Sequence, residues 1–339
     1  MTRSSFLARI RHVRSGLLFA LSAALLAAPS AGRGQAPTYK LTYAYSVSSP
    51  SLITESLYAA EKLGYLRRES LQVDVTWLQG DALALKSVLS NDADVAWVGT
   101  TAAIQAIARG AKVKIIYGPV PKSSNLIMAQ KEVATIPDLK GKSIAVSSVG
   151  AISYHIPRII MMRAGVDPNS ANYVAIGSTS TRFQALAAKK VDAGMVDLIQ
   201  DVEASERYPF LHSIASVAEK IPDLHFISVI ASEKAIETKP EALRRLIRAE
   251  LAGLKFLEDK PAEAANLSMD RLGAKNPANV VSAFEMGAKL KIYGVDGGLD
   301  PTALAKTVQL MIDMGDLKEA VPVDSLVDTK LLAAARKSP

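Results

Sequence analysis

The sequence predicts an α/β protein built as two lobes. Three observations carry this. Short apolar runs of strand length alternate with longer helical patterns, the alternation breaks and restarts near residue 120, and no Pro/Gly/Ser-rich linker separates the halves. Lys40–Val47 reads as the first strand, and Leu52–Leu63 as a helix closed by Gly64. Leu71–Leu78 is a second strand, after which Asp81 caps a helix running to Leu89. Asp94–Val98 is a short third strand. A helix then starts at Thr100 or Thr101 and ends at Gly110, and Lys112–Tyr117 is the next strand.

The same order then recurs. Leu126–Ala129 is a strand, and Ser143–Ser147 follows the turn Pro137–Gly141. Ile152–Arg163 is helical with Pro157 in its first turns; Tyr173–Ile176 is a strand, Thr181–Lys189 a helix and Asp192–Val196 a strand. Phe226–Ala231 reads as a strand returning to the first half, and beyond Pro240 the chain is nearly all helix: 240–258, 261–271, 277–291 and 301–314. The expected sheets are largely parallel. Lobe I takes 37–121 and 226–339, lobe II takes 122–225, and the chain crosses between them near 119–123 and 222–228, their only junctions. A short internal echo supports two similar halves: Gly80-Asp81, a helix, then Ala93–Ala96 matches Gly177-Ser178, a helix, then Val191–Gly194.

Residues 1–36 stand apart as a secretory signal peptide. Arg3, Arg9, Arg11 and Arg14 precede the apolar run Gly16–Ala28, and small residues follow. A membrane anchor is the alternative, but a span needs ~20 apolar residues and this run is shorter. Ser30 and Ala36 are both candidate cut sites, Pro37 hindering the second. The segment holds five arginines and no acid, so the formal +7 of the whole chain falls to +2 without it, 35 Lys+Arg against 33 Asp+Glu. A basic surface for nucleic acid loses its support. Cysteine is absent, which excludes disulfides, thiolate metal sites, a cysteine nucleophile and the lipid-bearing cysteine of lipoproteins. A soluble periplasmic monomer, free of lipid and cofactor, is expected.

Candidate ligand contacts gather where strands give way to helices, because helix N-termini there present free amides. After the first strand come Ser46, Ser48, Ser49 and Ser51; after the second, Gly80; after the third, Gly99, Thr100 and Thr101. The second half offers Ser147, Ser148, Gly150 and Ser153, then Gly177, Ser178, Thr179, Ser180 and Thr181. Hydroxyls at such places cap helices and also offer rotatable donors to an anionic or polar guest. Trp97 either walls a pocket or packs in the core. Arg182 either clamps a carboxylate or sulfonate or lies in solvent. Asp197 either meets a cationic group or caps the helix near Ile199, and Tyr154 and His155 lie in the first turn after the Ser147–Gly150 loop. Catalytic and metal signatures are missing: beyond residue 36 only His155, His212 and His225 remain, none spaced i,i+4, and no HExxH, GxSxG, GxGxxG, Walker or SxxK motif occurs.

Several of these segments resemble the nitrate/sulfonate/taurine and thiamine-precursor (NMT1-like) solute-binding proteins of ABC importers. Glu61–Leu66 followed by Leu71-Gln72-Val73, Asp138–Val146, Arg182–Gly194 and Lys239-Pro240-Glu241 carry the likeness, in order, over roughly 40–315. The resemblance implies a type II periplasmic-binding fold, two α/β lobes closing on a ligand at a hinge. It also implies delivery of a small organic anion (carboxylate, sulfonate or aromatic acid) to an inner-membrane permease and its ATPase. Two departures are visible. Ser70 stands where the relatives carry glycine, and Met195–Leu198 stands where they often carry a proline. Two other roles use the same architecture: a sensor presenting its ligand to a receptor, and pyrimidine-synthesising enzymes that need a cysteine-containing iron motif.

Overall fold

The computed structural model describes residues 38–273 and 276–337. The expected signal peptide and its candidate cut sites lie outside the described residues. Lobe I opens with β1 (Tyr39–Tyr45), α1 (Glu55–Lys62), α2 (Tyr65–Arg68), β2 (Leu71–Trp77), α3 (Asp81–Leu89), β3 (Val95–Gly99), α4 (Thr100–Ala108) and β4 (Val113–Val120). The second lobe contains β5 (Leu126–Gln130), β6 (Ser143–Val146), α5 (Ile152–Arg163), β7 (Asn172–Ala175), α6 (Thr179–Ala187), β8 (Ala193–Val196), α7 (Leu198–Arg207), β9 (Leu211–Ser216) and α8 (Val217–Lys220). The chain then returns as β10 (Ile227–Ser232), followed by α9 (Glu233–Thr238), α10 (Pro240–Asp259), α11 (Pro261–Leu272), α12 (Pro277–Lys289), α13 (Pro301–Asp313), α14 (Val323–Leu326) and α15 (Thr329–Lys337). No helix among the described residues is long and apolar enough to cross a membrane.

Each lobe holds one five-stranded sheet. The orders are β2-β1-β3-β10-β4 and β7-β6-β8-β5-β9, the same topology twice. The sheets are mixed, correcting the largely parallel expectation. β10 runs antiparallel to β3 and β4, and β5 runs antiparallel to β8 and β9. The physical reason is the route: each antiparallel strand is the first one after a crossing, so it enters its sheet from the far end. β9 was not anticipated, because Leu211–Ser216 is an edge strand with only two buried residues and no strong apolar run. Pro157 lies past the first turn of α5, inside the helix.

Central strands explain their own composition. β3 and β10 are buried throughout, so neither alternates apolar with exposed polar positions; β10 buries even Ser228, which bonds Thr100. Val95 and Trp97 join the core beneath α10, while Ala96 and Val98 join Ile104 and Ile230 on the other face. The internal echo becomes geometry. Asp94 Oδ2 accepts from the Thr42 amide (2.9 Å) and hydroxyl (3.1 Å), tying β3 to β1. Asp192 Oδ2 accepts from the Ser143 amide (2.8 Å) and hydroxyl (2.7 Å), tying β8 to β6 in the same way. Gly80 and Gly177 open the equivalent helices with φ of 98° and 101°, a region costly to side chains.

The chain passes between the sheets over 121–125 and 217–226. The two passages are bonded together, Phe226 N–H to Pro121 O and Val217 N–H to Asn125 O, each at 3.0 Å. A third tie corrects the expectation of two junctions only: α12 lies against α7, and Asn279 Nδ2 donates to Glu206 at 3.1 Å.

Lobe I also encloses a buried acid. Helix α10 starts at Pro240, which suits a first helical position, and buries one face from Ala242 to Leu257. A Cβ at Gly253 would collide with the Ser56 carbonyl, so glycine lets α1 approach closely. That approach brings Ser56 Oγ to Glu250 Oε1 at 2.5 Å, while the Tyr43 and Tyr117 hydroxyls donate to Oε2. Burial outweighs these donors and pushes the Glu250 carboxyl up to about 7. Since the folded value lies above the unfolded one, Glu250 favours the fold most in acid, and that contribution fades as pH rises through 7. Glu250→Gln should remove roughly 3 kcal/mol of this pH dependence between pH 4 and 8, read as the difference in melting profiles against parent.

Ser70, in the family's glycine position, carries φ of 50°. Ser70→Gly should raise stability by ~1 kcal/mol in chemical denaturation, through relief of that left-handed strain.

Candidate functional site

The C-terminal ends of the strands in both sheets face one cleft. Lobe I contributes the loops Ser46–Ser51, Gln79–Asp81 and Gly99–Thr101; the second lobe contributes Ser147–Ser153, Gly177–Ser180 and Asp197. These loops already touch across the cleft. A Cβ on Gly80 would stand 3.0 Å from Ser148 Oγ, one on Gly99 2.9 Å from Ile152 Cβ, and one on Gly177 2.9 Å from Gln79 Nε2. Between the lobes remains a pocket of about 190 Å³. Val47, Ser49 and Gly273 line one side, and Ser178, Thr179, Ser180, Asp197 and Glu203 the other.

The structure divides the anticipated residues. Ser49, Ser178, Thr179 and Asp197 line the pocket, while Ser48 is exposed beside it. Gly80, Gly99 and Ser148 form the lobe-to-lobe contacts. Ser147 and Ser153 are bonded to each other within the second lobe at 2.8 Å. Gly150 accepts from His155 Nε2 at 2.8 Å through its carbonyl. The Tyr154 ring packs edge-on against Tyr173, centroids 4.9 Å apart, with Arg158 over its face.

Thr100 is committed inside lobe I. His225 Nε2 faces the Gly298 carbonyl at 2.8 Å and must donate there, so Nδ1 accepts from the Thr100 hydroxyl at 2.9 Å. That hydroxyl in turn accepts from Ser228 at 2.7 Å. Burial holds His225 down at about 4, keeping the ring neutral. Thr101 Oγ1 and Trp97 Nε1, by contrast, are buried without a partner.

Arg182 follows neither anticipated course. It is 3% exposed, and its guanidinium bonds the Gly177 carbonyl (2.5 Å), the Met195 carbonyl (3.1 Å) and Thr179 Oγ1 (3.0 Å). It thereby braces the pocket loop from behind; burial lowers it to about 10. Asp197 caps α7 through the Ile199 and Gln200 amides at 3.0 and 3.3 Å, and burial raises its carboxyl to about 6. Gln79, Ile152 and Glu203 were missed. In sequence Asp81 reads only as a helix cap, yet its Oδ1 accepts the Gly99 amide at 3.0 Å, 18 positions away.

Two lobes of repeated topology, bonded at a double crossing and facing each other across strand ends, constitute the periplasmic binding protein fold. The chain belongs to the family described as NMT1/THI5 like, whose model matches residues 54–264. It is 22% identical over 290 residues to a putative binding protein, YtlA, of Bacillus subtilis (strain 168), covering 83% of this chain and 86% of that one. It is 22% identical over 227 residues to a formylaminopyrimidine-binding protein of Halalkalibacterium halodurans, covering 64% and 66%. Among solved structures, the ligand-binding component of an ABC-type import system from Staphylococcus aureus superposes with a TM-score of 0.72 at 12% identity, over 89% of this chain and 100% of that one. The alkanesulfonate-binding protein SsuA of Xanthomonas axonopodis pv. citri, bound to MOPS, gives 0.66 at 17% identity, over 88% and 98%. The desulfurization enzyme DSZB gives 0.60 at 17% identity, over 88% and 99%.

Gly99 has φ of −59°, so alanine there costs no backbone strain, only a clash with Ile152 across the cleft (2.9 Å) and a tight approach to Asp81 Oδ2 (3.1 Å). Gly99→Ala should therefore prop the lobes apart. The expected results are a larger radius of gyration in small-angle scattering and weaker ligand binding, with unchanged circular dichroism.

Proposed function

We propose that this protein is the solute-capturing component of an ABC-type importer, acting in a bacterial periplasm once residues 1–36 are removed. Its guest, on this reading, is a small organic anion: a carboxylate, sulfonate or aromatic acid. The observation that carries the proposal is the N-terminus of α6, which brings Ser178, Thr179 and Ser180 to a pocket facing the other lobe. The helix there is capped by the Ser178 hydroxyl, which accepts from the Thr181 amide, and not by a carboxylate. Amides and rotatable hydroxyls at a helix start attract negative charge.

Capture needs closure and differential affinity for the closed form, not a catalyst. Residues 37–121 with 226–339 would move as one body against 122–225, and the monomer would hand its guest to a permease and ATPase. The same closure would serve a sensor presenting its ligand to a receptor. Finding permease and ATPase genes beside this one would decide for the importer. Zero cysteines weigh against an iron-dependent pyrimidine-synthesising enzyme.

A second reading has its own observation. Asp197 and Glu203 line the same pocket, which suits a guest with a cationic or N–H-rich group. Asp197→Asn separates the two, because asparagine caps a helix as well as aspartate does. A thermal-shift screen of small anions, sulfonates, aromatic acids and pyrimidines supplies the ligand; one present at 100 times its Kd adds ~2.7 kcal/mol. By calorimetry, Asp197→Asn should then tighten an anion by ~1 kcal/mol, roughly fivefold, by removing a like charge. Weakened binding of the best ligand would sink the anion reading.

A further inference from the structure

The pocket between the lobes changes character along α6. Ser178, Thr179 and Ser180 line it at the helix start; Phe183 and Gln184 follow one turn on, and Ala187 one turn further. Residues three and four apart share a helix face, so the pocket follows one side of α6 for two turns, about 12 Å at the usual helical rise. Its first end is hydroxyl and amide. Further along it is aromatic: the Phe183 ring, 5% exposed, meets Tyr208 edge-on, with centroids 5.6 Å apart and planes at 83°, and both residues line the pocket. Lobe I adds Val47, Pro50 and Leu272 to the lining. Glu203, which also lines it, is paired with Arg207 at 2.8 Å, so its charge is partly offset.

Apolar walls from two lobes serve either to pack the lobes together or to hold a guest. Where these lobes pack, they meet: a Cβ on Gly80 would stand 3.0 Å from Ser148 Oγ, and one on Gly99 2.9 Å from Ile152 Cβ. Beside Phe183 and Tyr208 they stay apart and enclose about 190 Å³. An apolar cavity of ~150 Å³ in another protein takes up benzene, so this one has room for a single aromatic ring and a small acidic group. An inorganic anion at the helix start would leave the two rings facing water. A sugar would press unpartnered hydroxyls against them, which costs free energy.

We infer that the guest is an aromatic acid with one ring, its anionic group at the start of α6 and its ring against Phe183 and Tyr208. The inference rests on the anion reading proposed above and narrows it to one substrate class. Phe183 and Tyr208 select a flat ring, because aromatic pairs gain edge-to-face and offset contacts that a saturated ring does not make. Ala187, two turns below the anion, sets how far the tail extends.

Calorimetry with matched anions tests the tail separately from the head. Benzenesulfonate should bind roughly 10- to 100-fold tighter than methanesulfonate, and benzoate tighter than acetate by a similar factor, the gain expected for burying one phenyl group. Benzoate should also bind tighter than cyclohexanecarboxylate, which carries the same head on a ring without π faces. Ala187→Leu crowds the far end of the pocket and should cut the aryl-to-alkyl affinity ratio by roughly tenfold. Three results overturn the ring assignment while the anion reading stands: a ratio near one in a pair that binds, equal affinity for benzoate and cyclohexanecarboxylate, or a ratio that Ala187→Leu leaves unchanged. If no member of either pair binds at millimolar concentration, the anion reading falls and takes this inference with it.

Discussion

The sheet of lobe I is complete only when a strand returns from the second lobe. β10 separates β3 from β4, so β4 is joined to its sheet only after the chain has built the second lobe and crossed back; β5 takes the equivalent place between β8 and β9. This exchange has three physical consequences. Lobe I cannot be an independent folding unit in the ordinary sense, because the bonds of β10 to β3 and β4 wait for the return crossing. The crossings must run side by side, which the Phe226–Pro121 and Val217–Asn125 bonds accomplish. The strand ends that carry helix N-termini are also turned toward the same gap, which makes that gap the place where polar backbone is unspent.

How those N-termini are spent decides the electrostatics of the cleft. Asp81 accepts the Gly99 amide, and Asp197 satisfies the start of α7. Each acid is buried and pushed toward its neutral form, so the donors around it offset a real desolvation cost. The start of α6 is different. Only a serine hydroxyl caps it, and Arg182 holds its loop from behind by bonding carbonyls rather than by facing the pocket. The Arg182 charge acts as scaffold, and the attraction that the start of α6 offers a guest comes from amides and hydroxyls.

Lobe I carries a second cost of the same kind at Glu250, fully buried yet linking α10 to α1, β1 and β4 through hydroxyls. A buried acid of this type ties four elements into one register, because no other arrangement satisfies its oxygens. The reciprocal clasps at Thr42–Asp94 and Ser143–Asp192 do the same at the starts of the strands, leaving the opposite ends free for the cleft.

The alternation of strand and helix, the glycines that close or open helices, and the prolines that begin them are local signals, and they determined element order, fold class and the two-lobe plan. The echo of Gly80-Asp81 in Gly177-Ser178 and of Asp94 in Asp192 was also legible, since equivalent turns demand equivalent residues. Strand direction was not, because antiparallel insertion depends on where the chain comes from rather than on the residues inserted. Nor could the sequence sort the hydroxyls. Thr100 and Thr101 are neighbours of one type, yet Thr100 is engaged by His225, 125 positions away, while Thr101 has no partner. Asp81 reads as a helix cap in one dimension, and only the placing of α3 beside the end of β3 lets it accept the Gly99 amide 18 positions away. Capping and ligand binding draw on the same donors and acceptors, so tertiary contact alone decides which of them a residue serves.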